Sequence, residues 1–77
     1  MITAPQSRAA RGLLDWSQQK LAAAANVGLS TVRGFENGSR QPIANNLAAI
    51  RSALESAGIQ FVETGDAARG AGVVLVG

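Results

Sequence analysis

The 77-residue chain contains no cysteine, no histidine and no tyrosine, and has only one tryptophan and two phenylalanines. Without cysteine there is no disulfide and no thiolate metal site. Without histidine the chain lacks the commonest metal ligand and the usual general base. Its acidic residues are dispersed, and no glycine-rich phosphate loop stands at a strand–helix junction. We therefore expect no enzyme activity, no cofactor and no metal site.

The sequence also lacks an apolar run of the roughly 20 residues that span a bilayer. Its N-terminal segment is too polar for a secretory signal peptide. These absences predict a soluble, cytoplasmic protein that does not bind a membrane. A chain of this length has room for one small core, and its few aromatic residues favour dimerisation as a source of extra stability.

Charge is unevenly distributed along the chain. Residues 1–51 hold six basic and two acidic side chains, a net charge of +4, whereas residues 52–77 hold one basic and three acidic side chains, a net charge of −2. A basic helical half with an acidic tail is typical of a domain whose basic end binds phosphate groups. Scattered charges that only keep the surface soluble would give the same pattern, and charge alone does not separate the two.

Residues 17–38 predict two short helices joined by a tight turn. Ser17 is a good N-cap for the first of them. Asn26 stands where the chain reverses, and asparagine tolerates a left-handed backbone. Gly38 closes the second helix, about 29–37, as a residue just beyond its C-terminus. This arrangement is typical of a helix-turn-helix, which presents its second helix to DNA.

Two further helices flank this pair. A capping box of Thr3 and Gln6 begins a first helix that runs to about Leu14, and a fourth helix spans about 44–57. Gly12 lies inside the first helix, where we expect it to mark close packing. Helical spacing, with Trp16 as an anchor, assigns the following residues to the core: Ala10, Leu13, Leu14, Leu21, Ala22, Ala25, Val32, Phe35, Leu47, Ile50 and Leu54.

After Gly58 the apolar period changes from helical to alternating. Ile59 and Phe61 predict a strand, and a Gly/Ala-rich loop over 64–72 leads to a second strand. That second strand consists of Val73, Val74, Leu75 and Val76. The two strands would form a hairpin on the helices, because an isolated hairpin is barely stable in water. We expect one face of the second strand to cover the helices and its other face or open edge to contact a second subunit; a frayed tail is the alternative.

The order of these features resembles a known family. The motif S-Q-x-x-L-A precedes the turn, S-T-V-x-x-F-E-N-G forms the next helix, and a proline and the pattern L-x-x-I-x-x-A-L follow. Over about 5–57 the chain resembles the Xre-like, or phage repressor and Cro-like, helix-turn-helix regulators, including short bacterial members. The resemblance implies a mainly α, lambda-repressor-like domain of about four helices over 1–58, extended over 59–77 by a C-terminal strand or hairpin.

By this resemblance, the helix that begins at Leu29 lies in the major groove of DNA. The resemblance assigns DNA contacts to Gln18, Leu29, Ser30, Thr31, Arg33, Gly34, Asn37 and Arg40. Leu29, Ser30, Arg33 and Gly34 stand at exposed family positions, and an Arg33 guanidinium matches guanine O6 and N7. Leu29 and Gly34 replace the polar side chains often found at base-reading positions, so specificity would depend partly on DNA shape.

Most of these polar contacts have an alternative. Arg33 would instead clamp a phosphate or stay solvated, and Ser30 and Thr31 would cap or bond within their own helix. Asn37 would serve the turn, and Gln18 would be a polar surface residue only. Gln18 and Arg40 resemble the family's phosphate contacts.

Two charged residues are expected to have a structural role instead. Arg11 and Glu36 occupy positions where relatives often have a buried ion pair between the first and third helices. Such a bond would fix the presenting helix, although its net contribution to stability is small after desolvation.

These patterns favour a sequence-specific transcriptional regulator, a repressor that binds double-stranded DNA as a homodimer. Its operator would be a rough palindrome, because two recognition helices enter successive major grooves. The alternative is a protein-interaction module of the same fold, antitoxin-like or an adaptor. Its apolar C-terminal strand would then dock on another protein.

Overall fold

The computed structural model of the chain describes residues 2–62 and 72–76. Four helices are followed by a two-stranded antiparallel sheet, which confirms the mainly α fold with a small C-terminal sheet. The elements are α1 (Ala4–Leu14), α2 (Gln18–Ala25), α3 (Leu29–Glu36), α4 (Ala44–Ser56), β1 (Ile59–Val62) and β2 (Gly72–Leu75).

Local sequence sets where the helices begin and end. Thr3 and Gln6 form the predicted capping box, and the Ser17 hydroxyl caps α2. Asn26 ends α2 in the left-handed region at φ 57°, and Gly38 reverses the chain after α3 at φ 79°. The helices α3 and α4 each end one residue earlier than predicted.

The core lies between the four helices and the inner face of the sheet. Its buried apolar residues are Ile2, Ala10, Leu21, Ala22, Ala25, Val32, Phe35, Leu47, Ile50, Leu54, Ile59 and Phe61. Leu14 and Trp16 are partly buried and pack against them. Most positions that helical spacing assigned to the core are therefore buried.

Two expectations for α1 are wrong. Leu13 is 46% exposed, because the inner stripe of α1 runs through Ser7, Ala10 and Leu14, and consecutive helical residues point about 100° apart. Gly12 is also exposed, and a Cβ built on it meets no atom within 4 Å. Its lack of a side chain serves no close packing.

The sheet lies across α1 and α4. Its register pairs Ile59 with Leu75 and Phe61 with Val73. The strand β1 contacts α4 and β2 contacts α1, so Ile59 and Phe61 are buried while Val73 is partly buried against the core. One face of the hairpin covers the helices, as predicted.

Gln6 joins the sheet to α1. Its buried amide nitrogen Nε2 donates to the carbonyl oxygens of Val62 at 3.2 Å and Gly72 at 3.0 Å. The capping pattern gave no sign of this second role. Gly72 begins β2, one residue earlier than predicted, and the rest of the loop expected over 64–72 lies outside the described residues.

Gly58 and Gly12 form a matched pair for testing this packing. Gly58 has φ 107°, and a Cβ there would lie 2.8 Å from the carbonyl oxygen of Val76. We expect Gly58→Ala to lower the free energy of unfolding by more than about 1 kcal/mol. Gly12→Ala should instead raise it by roughly 0.5–1 kcal/mol, because alanine favours an exposed helix interior. Urea denaturation measures both changes, and a Gly58→Ala protein as stable as the parent would contradict the packing.

Candidate nucleic-acid interface

One side of α3 carries exposed polar side chains. Ser30, Arg33 and Asn37 are exposed, and their spacing places them on the same side of the helix. Val32 and Phe35, on the opposite side, are buried in the core. The core therefore fixes the rotation of α3 and leaves this polar side accessible.

No side chain caps the N-terminus of α3. Gly28 is the N-cap, with φ −69° and ψ 148°. Leu29 is half-buried and packs against the core, so it is less exposed than expected. Thr31 is also half-buried, which leaves Ser30 as the exposed side chain of this first turn.

The end of α3 is covered by the loop that follows it. Gly34 is buried, so the expectation that it is exposed is wrong. The physical reason is Arg40: a Cβ at Gly34 would lie 3.1 Å from Arg40 Cβ and 3.7 Å from Arg40 Cδ. The Asn37 side chain accepts the backbone N–H of Ser39 at 2.8 Å, which is the turn role weighed above.

The carboxylate of Glu36 joins three helices. Arg11 on α1 donates from Nη2 to Oε1 at 2.7 Å and from Nε to Oε2 at 2.9 Å. Ser7, also on α1, donates its hydroxyl to Oε2 at 2.6 Å. Gln18 at the start of α2 donates Nε2 to Oε1 at 3.2 Å. We call this group of four side chains the Glu36 junction.

The junction keeps Glu36 ionised although its side chain is only 1% exposed. Burial by itself would raise the pKa of Glu36. Hydrogen bonds from Arg11, Ser7 and Gln18, together with the charge of Arg11, outweigh burial and lower the pKa below its ordinary value. Arg8 adds a bond from Nη1 to the backbone carbonyl of Glu36.

The exposed arginines of this region carry uncompensated charge. Within residues 2–62 and 72–76, neither Arg33 nor Arg40 forms an ion pair. Arg11, by contrast, is committed to the Glu36 junction and to the carbonyl oxygen of Trp16, to which its Nη1 donates at 3.0 Å. The structure thus separates a structural arginine from two arginines that remain available to an anion.

Comparison with known proteins agrees with this geometry. The helix-turn-helix family model HTH_3 matches residues 8–60, which include all of α2, α3 and α4. No curated protein matches the chain. The matched range covers nearly the same residues as the resemblance found in the sequence.

None of the helices described here has both the length and the apolar character of a membrane span. Residues 2–62 and 72–76 also contain no group of three or more Asp or Glu side chains placed to hold a metal ion.

The pH dependence of stability tests the Glu36 junction. Since the pKa of Glu36 is lower in the folded chain, ionised Glu36 stabilises the fold above the ordinary glutamate pKa. That contribution is lost as the pH falls through the folded value. We expect Glu36→Gln to cost about 3 kcal/mol at pH 7, because it leaves Arg11 without its partner.

The matched control is Glu55, which pairs with Arg51 at 3.1 Å on the exposed side of α4. Glu55→Gln should cost no more than about 0.5 kcal/mol. Thermal unfolding followed from pH 7 down to pH 3 measures both variants. Equal costs at pH 7, or an unchanged acid sensitivity in Glu36→Gln, would contradict a buried, ionised junction.

Proposed function

We propose that this chain, which belongs to the helix-turn-helix family HTH_3, is a sequence-specific DNA-binding repressor that acts as a homodimer. Membership of the family implies DNA binding and transcriptional regulation. The observation that carries the finer proposal is the exposed side of α3, with Arg33 and Arg40 unpaired among the described residues beside it. In this proposal, α3 enters the major groove with that side toward the bases.

The proposed contacts follow from where each side chain lies. Arg33 reads a guanine through its guanidinium fork, and Ser30 bonds to a base edge or a phosphate. Leu29 contacts a thymine methyl with the part of its side chain that is not packed in the core. Thr31 and Asn37 contribute at the two ends of α3.

Gln18 is the proposed phosphate contact from α2. Its amide nitrogen carries two hydrogens, of which one is directed at Glu36 Oε1. The second hydrogen remains for a phosphate oxygen. The Glu36 junction therefore orients the amide before DNA arrives, which lowers the entropic cost of binding.

Replacing Arg33 tests the interface. We expect Arg33→Ala to weaken binding to a duplex selected from a random pool by about 5- to 100-fold, the range for one lost arginine–guanine contact. The slope of log affinity against log salt should change little if the contact is to a base, since the slope counts phosphates. Fluorescence anisotropy at several salt concentrations measures both quantities.

Arg51→Ala is the matched control. Arg51 lies on α4, pairs with Glu55 and stands over the Phe61 ring at 5.4 Å. Its loss removes the same unit of charge from a helix that packs on α1, α2 and β1. We expect less than a threefold change for this control. Equal losses for the two variants would refute a specific role for α3.

The homodimer is proposed to form through the outer edge of β2. Val74, Leu75 and Val76 are 44–49% exposed, an unusual apolar cluster for a solvent-facing strand end. The sheet has two strands among the described residues, so this edge pairs with no further strand there. A second copy of β2 would satisfy the open backbone groups and cover part of these side chains on both faces of the sheet.

The register fixes how two copies would meet. Val76 donates its N–H to the Gly58 carbonyl at 2.7 Å, and hydrogen-bonded and non-bonded pairs alternate along an antiparallel ladder. The backbone groups of Val73 and Leu75 therefore point away from β1. Two β2 edges would pair antiparallel about a two-fold axis at Val74 and form a four-stranded sheet, with the same surface on each subunit.

Val74→Lys tests this dimer. A lysine on the two-fold axis places two positive charges against each other, so we expect a monomer in sedimentation equilibrium and a loss of cooperative binding to a palindromic duplex. Ile43→Lys is the matched control, because Ile43 is 67% exposed and lies at the start of α4. It should remain dimeric. A parent protein that is monomeric at micromolar concentration would contradict the proposal and favour docking of β2 on another protein.

Repression follows from occupancy in this proposal. A dimer that covers two successive major grooves excludes another protein from the same base pairs. The test is transcription from a promoter that overlaps the selected duplex, which should fall in proportion to occupancy.

A further inference from the structure

We propose that Arg40, in the loop after α3, reads a base beside the contacts made by α3. The absence of a side chain at Gly34 leaves the space in which the Arg40 stem packs on α3. This inference rests on the proposed DNA-binding function and goes beyond it. It replaces the phosphate contact that the resemblance assigned to Arg40. It also gives Gly34 a role that needs no side chain.

The stem of Arg40 lies where a side chain at position 34 would begin. A Cβ built on Gly34 would be 3.1 Å from Arg40 Cβ and 3.7 Å from Arg40 Cδ. The first distance is closer than ordinary carbon–carbon contact, so a side chain at 34 would require the Arg40 stem to shift by a few tenths of an ångström. Gly34 is buried because Arg40 and Ser39 cover it.

The loop holds Arg40 in this place through several backbone bonds. The N–H of Arg40 donates to the carbonyl of Gly34 at 3.1 Å. Gly38 turns the chain at φ 79°, and the Ser39 N–H donates to Asn37 Oδ1 at 2.8 Å. These bonds fix the backbone of Arg40 beside α3 before any ligand binds, which reduces the backbone entropy lost on recognition.

By its spacing, position 34 lies on the same side of α3 as the exposed Ser30 and Asn37, and Arg40 covers it there. Position 34 follows Ser30 by four residues and precedes Asn37 by three, and both spacings place residues on one side of a helix. The stem of Arg40 therefore starts from this side of α3, and Arg40, like Arg33, is exposed. Its guanidinium makes no ion pair within residues 2–62 and 72–76. The geometry therefore favours a second guanine contact in the major groove, in which a bidentate arginine matches O6 and N7.

A double-mutant cycle tests the seating. We expect Arg40→Ala to lower affinity for the selected duplex by about 5- to 100-fold. Gly34→Ala should reproduce part of that loss, because its Cβ displaces the Arg40 stem. In the Arg40→Ala background, the same Gly34→Ala change should alter affinity by less than about twofold, because the guanidinium whose position it disturbs is absent and the two changes are coupled. An equal loss from Gly34→Ala in both backgrounds would overturn the proposal, since it would mean that the glycine itself approaches DNA.

Base preference tests the contact. Selection from a random pool with the parent and with Arg40→Ala should differ at one base pair of each half-site, where the variant loses a preference for G·C. Circular dichroism and thermal unfolding of each variant verify that the helices persist. A uniform loss over all sequences, with a salt slope smaller by about one, would identify a phosphate contact and overturn the proposal.

The two functions fail differently. If Arg33→Ala weakens binding as expected while Arg40→Ala leaves base preference unchanged, the DNA-binding function stands and the role of Arg40 falls. If the parent protein selects no duplex at all, both fall together.

Discussion

The rest of the structure depends on the hydrogen bonds and the ion pair that the ionised carboxylate of Glu36 makes with α1 and α2. This carboxylate sits at the end of α3 and receives hydrogen bonds from Ser7 and Arg11 on α1 and from Gln18 on α2. A buried ion pair adds little net stability compared with apolar packing, but an incomplete one is costly. The four side chains therefore tie the relative placement of the three helices to one carboxylate. This placement sets the orientation of α3 relative to α1 and α2.

The apolar core and the Glu36 junction together fix the position of α3. Val32 and Phe35 set its rotation by burial, while Glu36 sets its axial position through directional bonds. The loop after α3 then folds back so that Arg40 covers Gly34. A helix of only eight residues would not keep this shape alone. Its usefulness as a rigid reading surface comes from the tertiary contacts on its other sides.

The sequence predicted what local chemistry determines and missed what the assembled chain determines. The caps at Ser17 and Asn26 and the fold class were predictable, because each depends on neighbouring residues or a repeating period. The exposure of Leu13 was not predictable, since its apolar character does not show which side of α1 the sheet covers. Helical or strand periodicity in the sequence also does not predict two tertiary contacts. One is the hydrogen bonding of Gln6 to the strands, and the other is the packing of Arg40 over Gly34.

The binding surface is tested most directly by an NMR titration of the isotopically labelled protein with a duplex that the protein selects from a random pool. We expect the largest amide shift changes on residues 28–40 and at Gln18, while α4 and β1 change little. The Arg33 and Arg40 side-chain signals should move together with them. Shift changes concentrated on α4 or on the sheet, with residues 28–40 unmoved, would contradict the claim that α3 is the surface that binds DNA.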